Sequence, residues 1–253
     1  MSSTTEEYGL IGYPLTHSFS QRYFNEKFNS EKIDAVYLNF QLSDIGELME
    51  MLAEHPRLQG FNVTLPYKEQ VIPYLDAIDP KAKEIGAVNV VKVTHLAGGD
   101  IRLKGFNSDY IGFLDSLVPL LGKGDHSALV LGTGGASKAV RVALQSIGVK
   151  VAMVSRTMKP GVTYTYDQLT QEVMDSHDII VNTTPLGMYP HAEECPPIPY
   201  DYITPRHILY DLIYNPDVTK FMKRGAERGA KTKNGLEMLL LQAFESWRIW
   251  KSN

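Results

Sequence analysis

One cysteine, Cys195, stands in 253 residues, which excludes an internal disulfide and any zinc site built on several thiolates. Histidine is also sparse. The seven residues from His17 to His207 show no H-E-x-x-H or comparable spacing, so no metal is expected. Basic charge is not in excess: 25 Lys and Arg against 29 Asp and Glu give a net charge of −4. A chain of that balance offers neither a basic stripe for nucleic acid nor a polybasic patch for a membrane surface. No stretch approaches the about 18 consecutive apolar residues of a membrane span. The opening MSSTTEEY lacks the basic-then-apolar order of a secretory leader. These absences lead to the expectation of a cytoplasmic protein whose partner is a small molecule; a monomer or homodimer is expected.

What is present is organised around residues 127–157, SALVLGTGGASKAVRVALQSIGVKVAMVSRT, which read as strand, glycine-rich turn, helix and second strand of a βαβ unit. Ala128 to Leu131 is apolar without alternation, as a parallel strand buried on both faces requires. Gly132, Gly134 and Gly135, with Thr133 and Ala136 among them, allow a sharp turn and let backbone NH groups approach a pyrophosphate at a helix N-terminus. Ser137 holds the third fingerprint position of G-x-G-x-x-G, so the match is imperfect. The strand before, the helix after and the strand at 149–154 make the motif informative.

The end of that second strand selects the cofactor. NAD-binding units place Asp or Glu there to hold the ribose 2′-hydroxyl. This chain has Ser155, Arg156 and Thr157, with Lys159 just beyond, and those groups suit a 2′-phosphate that a carboxylate would repel. NADP(H) is therefore expected.

The N-terminal part reads as further α/β structure. A strand over 8–13 is followed by a helix with Phe24 and Phe28 one turn apart, and Ser18 and Ser20 stand at its start. Serine there is commonly an N-cap, but two hydroxyls beside free NH groups also suit a carboxylate. A strand over 35–40 and an amphipathic helix over 44–54, with Ile45, Leu48, Met49 and Leu52 inward, repeat the pattern. The strand over 58–65 carries Asn62 and Thr64, and Pro66 stops it before a helix expected from Lys68. Carboxyl ends of strands are where open α/β sheets bind ligands, so Asn62, Thr64 and Lys68 belong to an expected cleft. A lysine in a first helical turn is disfavoured by the helix dipole, which hints at a functional reason for Lys68. A strand carries Asn89, Gly98 and Gly99 mark a hairpin turn, and Asp109 opens a helix over 110–121.

Beyond the βαβ unit, a helix over 167–174 and a strand over 178–182 lead to the polar turn Thr183, Thr184, Pro185 and Gly187. A proline-rich loop over 191–205, a strand over 208–213 closed by Tyr214, Asn215 and Pro216, and a helix over 217–228 follow. The final helix, 234–250, has an apolar face of Met238, Leu241, Phe244 and Trp247, with the polar Gln242 among them.

NVTLPYKE (62–69), GAVN (86–89), GFNSD (105–109), LGTGGASKA (131–139), SRT (155–157), NTTPLGM (182–188) and NGLEMLLLQA (234–243) occur in that order. Together they resemble the shikimate dehydrogenase family over almost the whole chain. The resemblance implies reversible reduction of 3-dehydroshikimate to shikimate with NADPH, on the route to chorismate and the aromatic amino acids. It implies an α/β fold of two domains: a substrate-binding domain over 1–108, completed by a C-terminal helix over 236–253, and a Rossmann-like NADP domain over 109–235. It also implies that Lys68 and Asp109 are the catalytic pair. Ser18, Ser20, Asn62, Thr64, Asn89, Tyr214 and Gln242, together with Lys68 and Asp109, would bind substrate. Gly132 to Ala136 would hold the pyrophosphate, Ser155 to Thr157 with Lys159 the 2′-phosphate, and Leu212 and Gly235 the nicotinamide end.

Three positions depart from the family pattern: Ser155 replaces a common Asn, Ser108 a common Thr, and Asn234 a common Asp. Of these only Ser155 touches cofactor affinity, and it keeps a hydroxyl. Two other readings stay open. One is a dehydrogenase for quinate or an amino analogue of shikimate. The other is a non-catalytic sensor of such ligands or of NADP(H), which would have no need of both Lys68 and Asp109.

Overall fold

A computed structural model describes residues 5–15, 18–124 and 126–252. Two compact units make up the chain: residues up to Ser108 with Ala243–Asn253, and Asp109–Gln242. Each is α/β and is built on a six-stranded sheet.

In the first unit β1 (Glu6–Gly12), α1 (Phe19–Glu31), β2 (Ala35–Gln41), α2 (Leu48–Glu54) and β3 (Leu58–Val63) form two parallel crossovers. β4 (Ala77–Ile78), α3 (Pro80–Ile85), β5 (Val90–His95) and β6 (Ile101–Phe106) complete it. The strand order is β2-β1-β3-β5-β6-β4, with β5 antiparallel to both β3 and β6. Gly98 and Gly99 have φ of 108° and 94°, which the tight turn between β5 and β6 needs and a side chain would oppose.

Two expectations fail here for identifiable reasons. The helix expected over 44–54 opens with a 3₁₀ turn, Ile45–Glu47, and the tighter turn resets the helical phase of α2. Met51 is consequently buried, whereas Met49, expected inward, is 52% exposed. Nor does a helix start at Lys68. Val71 NH donates to Tyr67 O at 2.9 Å and Ile72 NH to Glu69 O at 3.2 Å as isolated turns, followed by a 3₁₀ turn at Ile72–Tyr74. Pro66 and Pro73 bracket the segment, supply no NH and disfavour α geometry in the residue before them, so no α ladder propagates. The dipole argument for Lys68 falls with the helix.

The second unit runs α4 (Asp109–Leu117), β7 (Ser127–Leu131), α5 (Gly135–Ser146), β8 (Lys150–Ser155), β9 (Tyr164–Thr165), α6 (Gln171–Asp175), β10 (Ile179–Asn182), β11 (Ile208–Asp211), α7 (Lys220–Glu227) and β12 (Lys231–Lys233). All its strand pairs are parallel, in the order β12-β11-β10-β7-β8-β9. That is the doubly wound order of two mononucleotide-binding halves, which reverses between β7 and β10. Expected helices shorten where caps and prolines intervene. α4 stops at Leu117 before a 3₁₀ turn containing Pro119. The helix expected over 167–174 divides into a capped 3₁₀ turn at Tyr166–Gln168 and α6. α7 starts only after Thr219, whose hydroxyl accepts from Met222 NH at 3.3 Å.

The last helix, α8 (Leu236–Lys251), contributes to both units, and the division between them falls after Gln242. Met238 joins the core of Phe113, Leu117, Val130 and Tyr210. Ile249 and Trp250 join that of Tyr8, Phe24 and Tyr37, where Trp250 Nε1 donates to Val91 O at 3.0 Å. The expected face holds at Met238, which is buried, and at Leu241 and Trp247, which are half-buried, but not at Phe244. Phe244 is 52% exposed, while Gln242, Ala243 and Ser246 are buried. Burial of two polar residues is tolerated because both find hydrogen-bond partners.

Candidate active site

The first sheet has its own reversal at β1 and β3, since the chain leaves β1 for β2 on one side and lies against β3 on the other. Past the carboxyl ends of these strands Thr64 NH donates to Ile11 O at 2.9 Å and Tyr13 NH to Leu65 O at 3.0 Å. The segments bearing Ser18 and Ser20 on one side, and Thr64 and Lys68 on the other, therefore leave the same end of the sheet. Thr64 and Lys68 are half-buried, and Lys68 O accepts from Val88 NH at 2.7 Å. His17 lies outside the described residues.

Ser18 is the N-cap of α1, its hydroxyl accepting from Gln21 NH at 3.1 Å. A hydroxyl that accepts still has a hydrogen to donate, so capping and anion binding are compatible in this residue. Ser20, in the first turn of α1, hydrogen-bonds the Tyr37 phenol, which burial holds well above its usual pKa. Tyr37 Oη in turn donates to Asn62 Oδ1 at 2.8 Å. Asn62 is buried, and its Nδ2 donates to Asn89 O at 3.2 Å and to Ser246 Oγ at 2.9 Å. The Asn62 amide thus ties three parts of the first unit together.

Asn89 precedes β5 and holds the turn before α4: its Oδ1 accepts from Ser108 NH at 2.7 Å and its Nδ2 donates to Ser108 Oγ at 3.0 Å. Ser108 Oγ also lies 3.2 Å from Ser246 Oγ. The family-divergent Ser108 is therefore a fully buried network member, and the hydroxyl common to Ser and Thr is the atom used. Asp109 follows it as the first residue of α4, not as a cap outside the helix, and is 7% exposed. Tyr37 and Ser246 escaped the sequence reading. The signal for Ser246 was a second polar residue one turn after Gln242 on the last helix. Ser246→Ala should leave one Asn62 NH without this acceptor and lower unfolding free energy by about 1–3 kcal/mol, measured by denaturant titration.

In the second unit the carboxyl ends of β7 and β10 flank the reversal. Gly132 has φ of 115°, and a Cβ there would lie 2.6 Å from Thr183 Oγ1, so only glycine fits this crossing. Thr133 leads to Gly134, the N-cap of α5, which provides no side-chain cap for the first-turn NH groups of Gly135, Ala136 and their neighbours. Ser137, at the imperfect fingerprint position, is buried and donates to Gly134 O at 2.6 Å, so the serine is accommodated inside the turn. An uncapped helix start behind a glycine cradle fits a pyrophosphate.

At the end of β8, Ser155 is half-buried, while Arg156, Thr157 and Lys159 are exposed and no carboxylate takes the ribose position. This donor set fits a 2′-phosphate. Thr183 Oγ1 donates to Leu131 O at 2.6 Å, and Asn182 Oδ1 accepts from Thr184 NH and Thr184 Oγ1 at 3.0 and 2.7 Å, which shapes the turn beside the cradle. Leu212 follows β11, with Tyr214 exposed two residues on. Gly235 packs so closely that a Cβ would lie 2.0 Å from Leu212 O. Gln242, buried in α8, donates to Leu239 O at 2.9 Å. Among the described residues no group of three His, Cys, Asp or Glu side chains could hold a metal, and no helix is long and apolar enough to cross a membrane.

Comparison with known proteins follows the same lines. The family model of the shikimate dehydrogenase substrate binding domain matches residues 10–91. The chain is 39% identical to the shikimate dehydrogenase (NADP(+)) of Aquifex aeolicus, covering 99% of this chain and 93% of that protein. A crystal structure of a shikimate dehydrogenase in complex with NADP⁺ superposes with a TM-score of 0.88 at 32% identity, covering 99% of this chain and 91% of that one. The Thermus thermophilus enzyme in complex with NADP(H) and shikimate gives 0.84 at 30% identity, over 98% and 94% of the two chains.

Proposed function

Because the chain belongs to the shikimate dehydrogenase family, we propose that it reduces 3-dehydroshikimate reversibly to shikimate with NADPH, as a cytoplasmic enzyme of chorismate biosynthesis. The observation that carries the cofactor assignment is the β8 end, where Ser155, Arg156 and Thr157 replace the carboxylate of NAD-binding units. In this reading the nucleotide groups belong to residues 109–235, and most of the substrate groups belong to the first unit.

NADPH, when bound, supplies a hydride. The carbonyl carbon of 3-dehydroshikimate gains a C–H bond, and the carbonyl π pair moves to oxygen, which needs a proton. Lys68 as an ammonium donates that proton and stabilises the developing negative charge. Asp109 accepts a hydrogen bond from a ring hydroxyl and balances the ammonium. In the oxidative direction Lys68 takes the hydroxyl proton back. Ser18, Ser20, Thr64 and Tyr214 hold the carboxylate, and Asn89 and Gln242 orient the ring hydroxyls. Asn62, bonded to Tyr37, Asn89 and Ser246, acts on substrate through the network it holds in place.

The test is absorbance at the nicotinamide band with purified protein, each of shikimate and quinate, and each of NADP⁺ and NAD⁺. Fast reduction with shikimate and NADP⁺ is expected. Faster turnover of quinate would move the protein to a sister activity, and ligand binding without turnover would make it a sensor. Arg156→Ala should weaken NADP⁺ far more than NAD⁺, since the guanidinium meets only the 2′-phosphate. Equal losses in KM for both cofactors would show that Arg156 does not read the phosphate.

A further inference from the structure

Asp211, the last residue of β11, is fully buried and has no part in the chemistry above. Its Oδ1 accepts from Asn182 Nδ2 at 3.0 Å and from Ile213 NH at 3.1 Å, and its Oδ2 from Thr219 Oγ1 at 2.6 Å. All three partners are donors and none is a cation. Burial pushes the carboxyl up to about 6 against the pull of these three bonds. A buried carboxylate without a counter-ion destabilises a fold, so its presence here calls for a compensating role.

That role is visible in what the partners carry. Asn182 closes β10 and shapes the turn of Thr183 and Thr184, and its backbone O accepts from Leu212 NH at 3.0 Å. Ile213 lies between Leu212 and Tyr214, and its O accepts from Gly235 NH at 3.0 Å. Thr219 caps α7. One carboxylate therefore joins the turn after β10, the turn after β11 and the start of α7. The second contains Leu212 and adjoins Gly235, the groups assigned above to the nicotinamide end, and the first contains Thr183 beside the glycine cradle.

We propose that Asp211 is a positioning residue for the nicotinamide end of NADP(H), fixing through Asn182, Ile213 and Thr219 the turn that carries Leu212 and adjoins Gly235. The inference rests on the dinucleotide reading of the second unit. It assigns Asp211 no contact with the cofactor. An amide in place of the carboxylate can keep the arrangement, because its oxygen accepts from Asn182 and Ile213 while its NH₂ donates to Thr219 Oγ1. Leucine, similarly branched but without a hydrogen-bonding group, cannot.

The experiment titrates wild type, Asp211→Asn, Asp211→Leu and Thr219→Val with NADP⁺ and with 2′,5′-ADP, which has the adenosine end and the 2′-phosphate but no nicotinamide. Calorimetry reads both affinities. Asp211→Leu should weaken NADP⁺ about 10-fold or more and leave 2′,5′-ADP within about twofold, as displaced contacts at one end of a ligand require. Asp211→Asn should restore NADP⁺ binding, and Thr219→Val should shift it in the same direction as leucine by less. Equal weakening of both nucleotides, weakening of neither, or an asparagine variant as poor as leucine would overturn the proposal. If Asp211→Leu does not fold, Thr219→Val carries the test under the same criterion. Wild type that binds neither nucleotide would instead overturn the dinucleotide reading itself, and this inference with it.

Discussion

Lys68→Ala is expected to give a folded protein that binds shikimate appreciably and loses most turnover, by about 10²–10⁴-fold, the usual contribution of a general acid and base. The backbone around Lys68 does not depend on its side chain. Lys68 is half-buried in a turn, and the bond it makes to Val88 uses its backbone carbonyl, which alanine retains. No helix depends on the residue, so helix propensity does not enter. The measurement is kcat for shikimate oxidation at the nicotinamide band, beside thermal unfolding and a direct shikimate titration. A variant with near-normal kcat would remove Lys68 from the proton-transfer role. A variant that no longer binds shikimate would assign it to substrate affinity instead.

The second large effect is expected from replacing Ser18 and Ser20 together by alanine. Capping alone predicts a loss of stability of about 1 kcal/mol, because Ser18 accepts from Gln21 NH at the start of α1. Carboxylate binding predicts more. Each hydrogen bond to a charged group contributes about 1.5–3 kcal/mol, so KM for shikimate should rise by about 10-fold at least while KM for NADP⁺ stays unchanged. An analogue lacking the carboxylate should bind wild type and the double variant equally, since the group being read is absent. Ser20→Ala also removes one of the two partners of the Tyr37 phenol, and the single variants apportion that contribution. A lowered melting temperature with an unchanged shikimate KM would return both serines to capping.

Legibility differed between the two units. In the second, the buried runs of β7 and β10, the glycine turn and the serine-arginine end of β8 are local patterns, each read within a few residues. In the first, the site residues were named one by one, but their mutual bonds were not. Ser20, Tyr37, Asn62, Asn89, Ser108 and Ser246 form one polar network, buried beyond Ser20, in which the bonded pair Asn62 and Ser246 lies 184 residues apart. No window of sequence contains that relation. Asp211 is the same case in the second unit: in sequence it is an acidic residue between a strand and a turn, and in the fold it is the acceptor for three donors.

Sequence by itself determined the α/β class, the dinucleotide-type βαβ unit, the family and the residue types available for binding and proton transfer, because periodicity, glycine geometry and charge type are properties of short segments. Tertiary structure alone decided which residues of α8 are buried and how the network around Asn62 is bonded. Each of these turned on competition between a local preference and partners brought from elsewhere in the chain. Phe244 lies exposed while Ser246 is buried because hydrogen-bond acceptors and donors on β3 and beside Ser108 satisfy the serine. An apolar face drawn on one helix cannot register them.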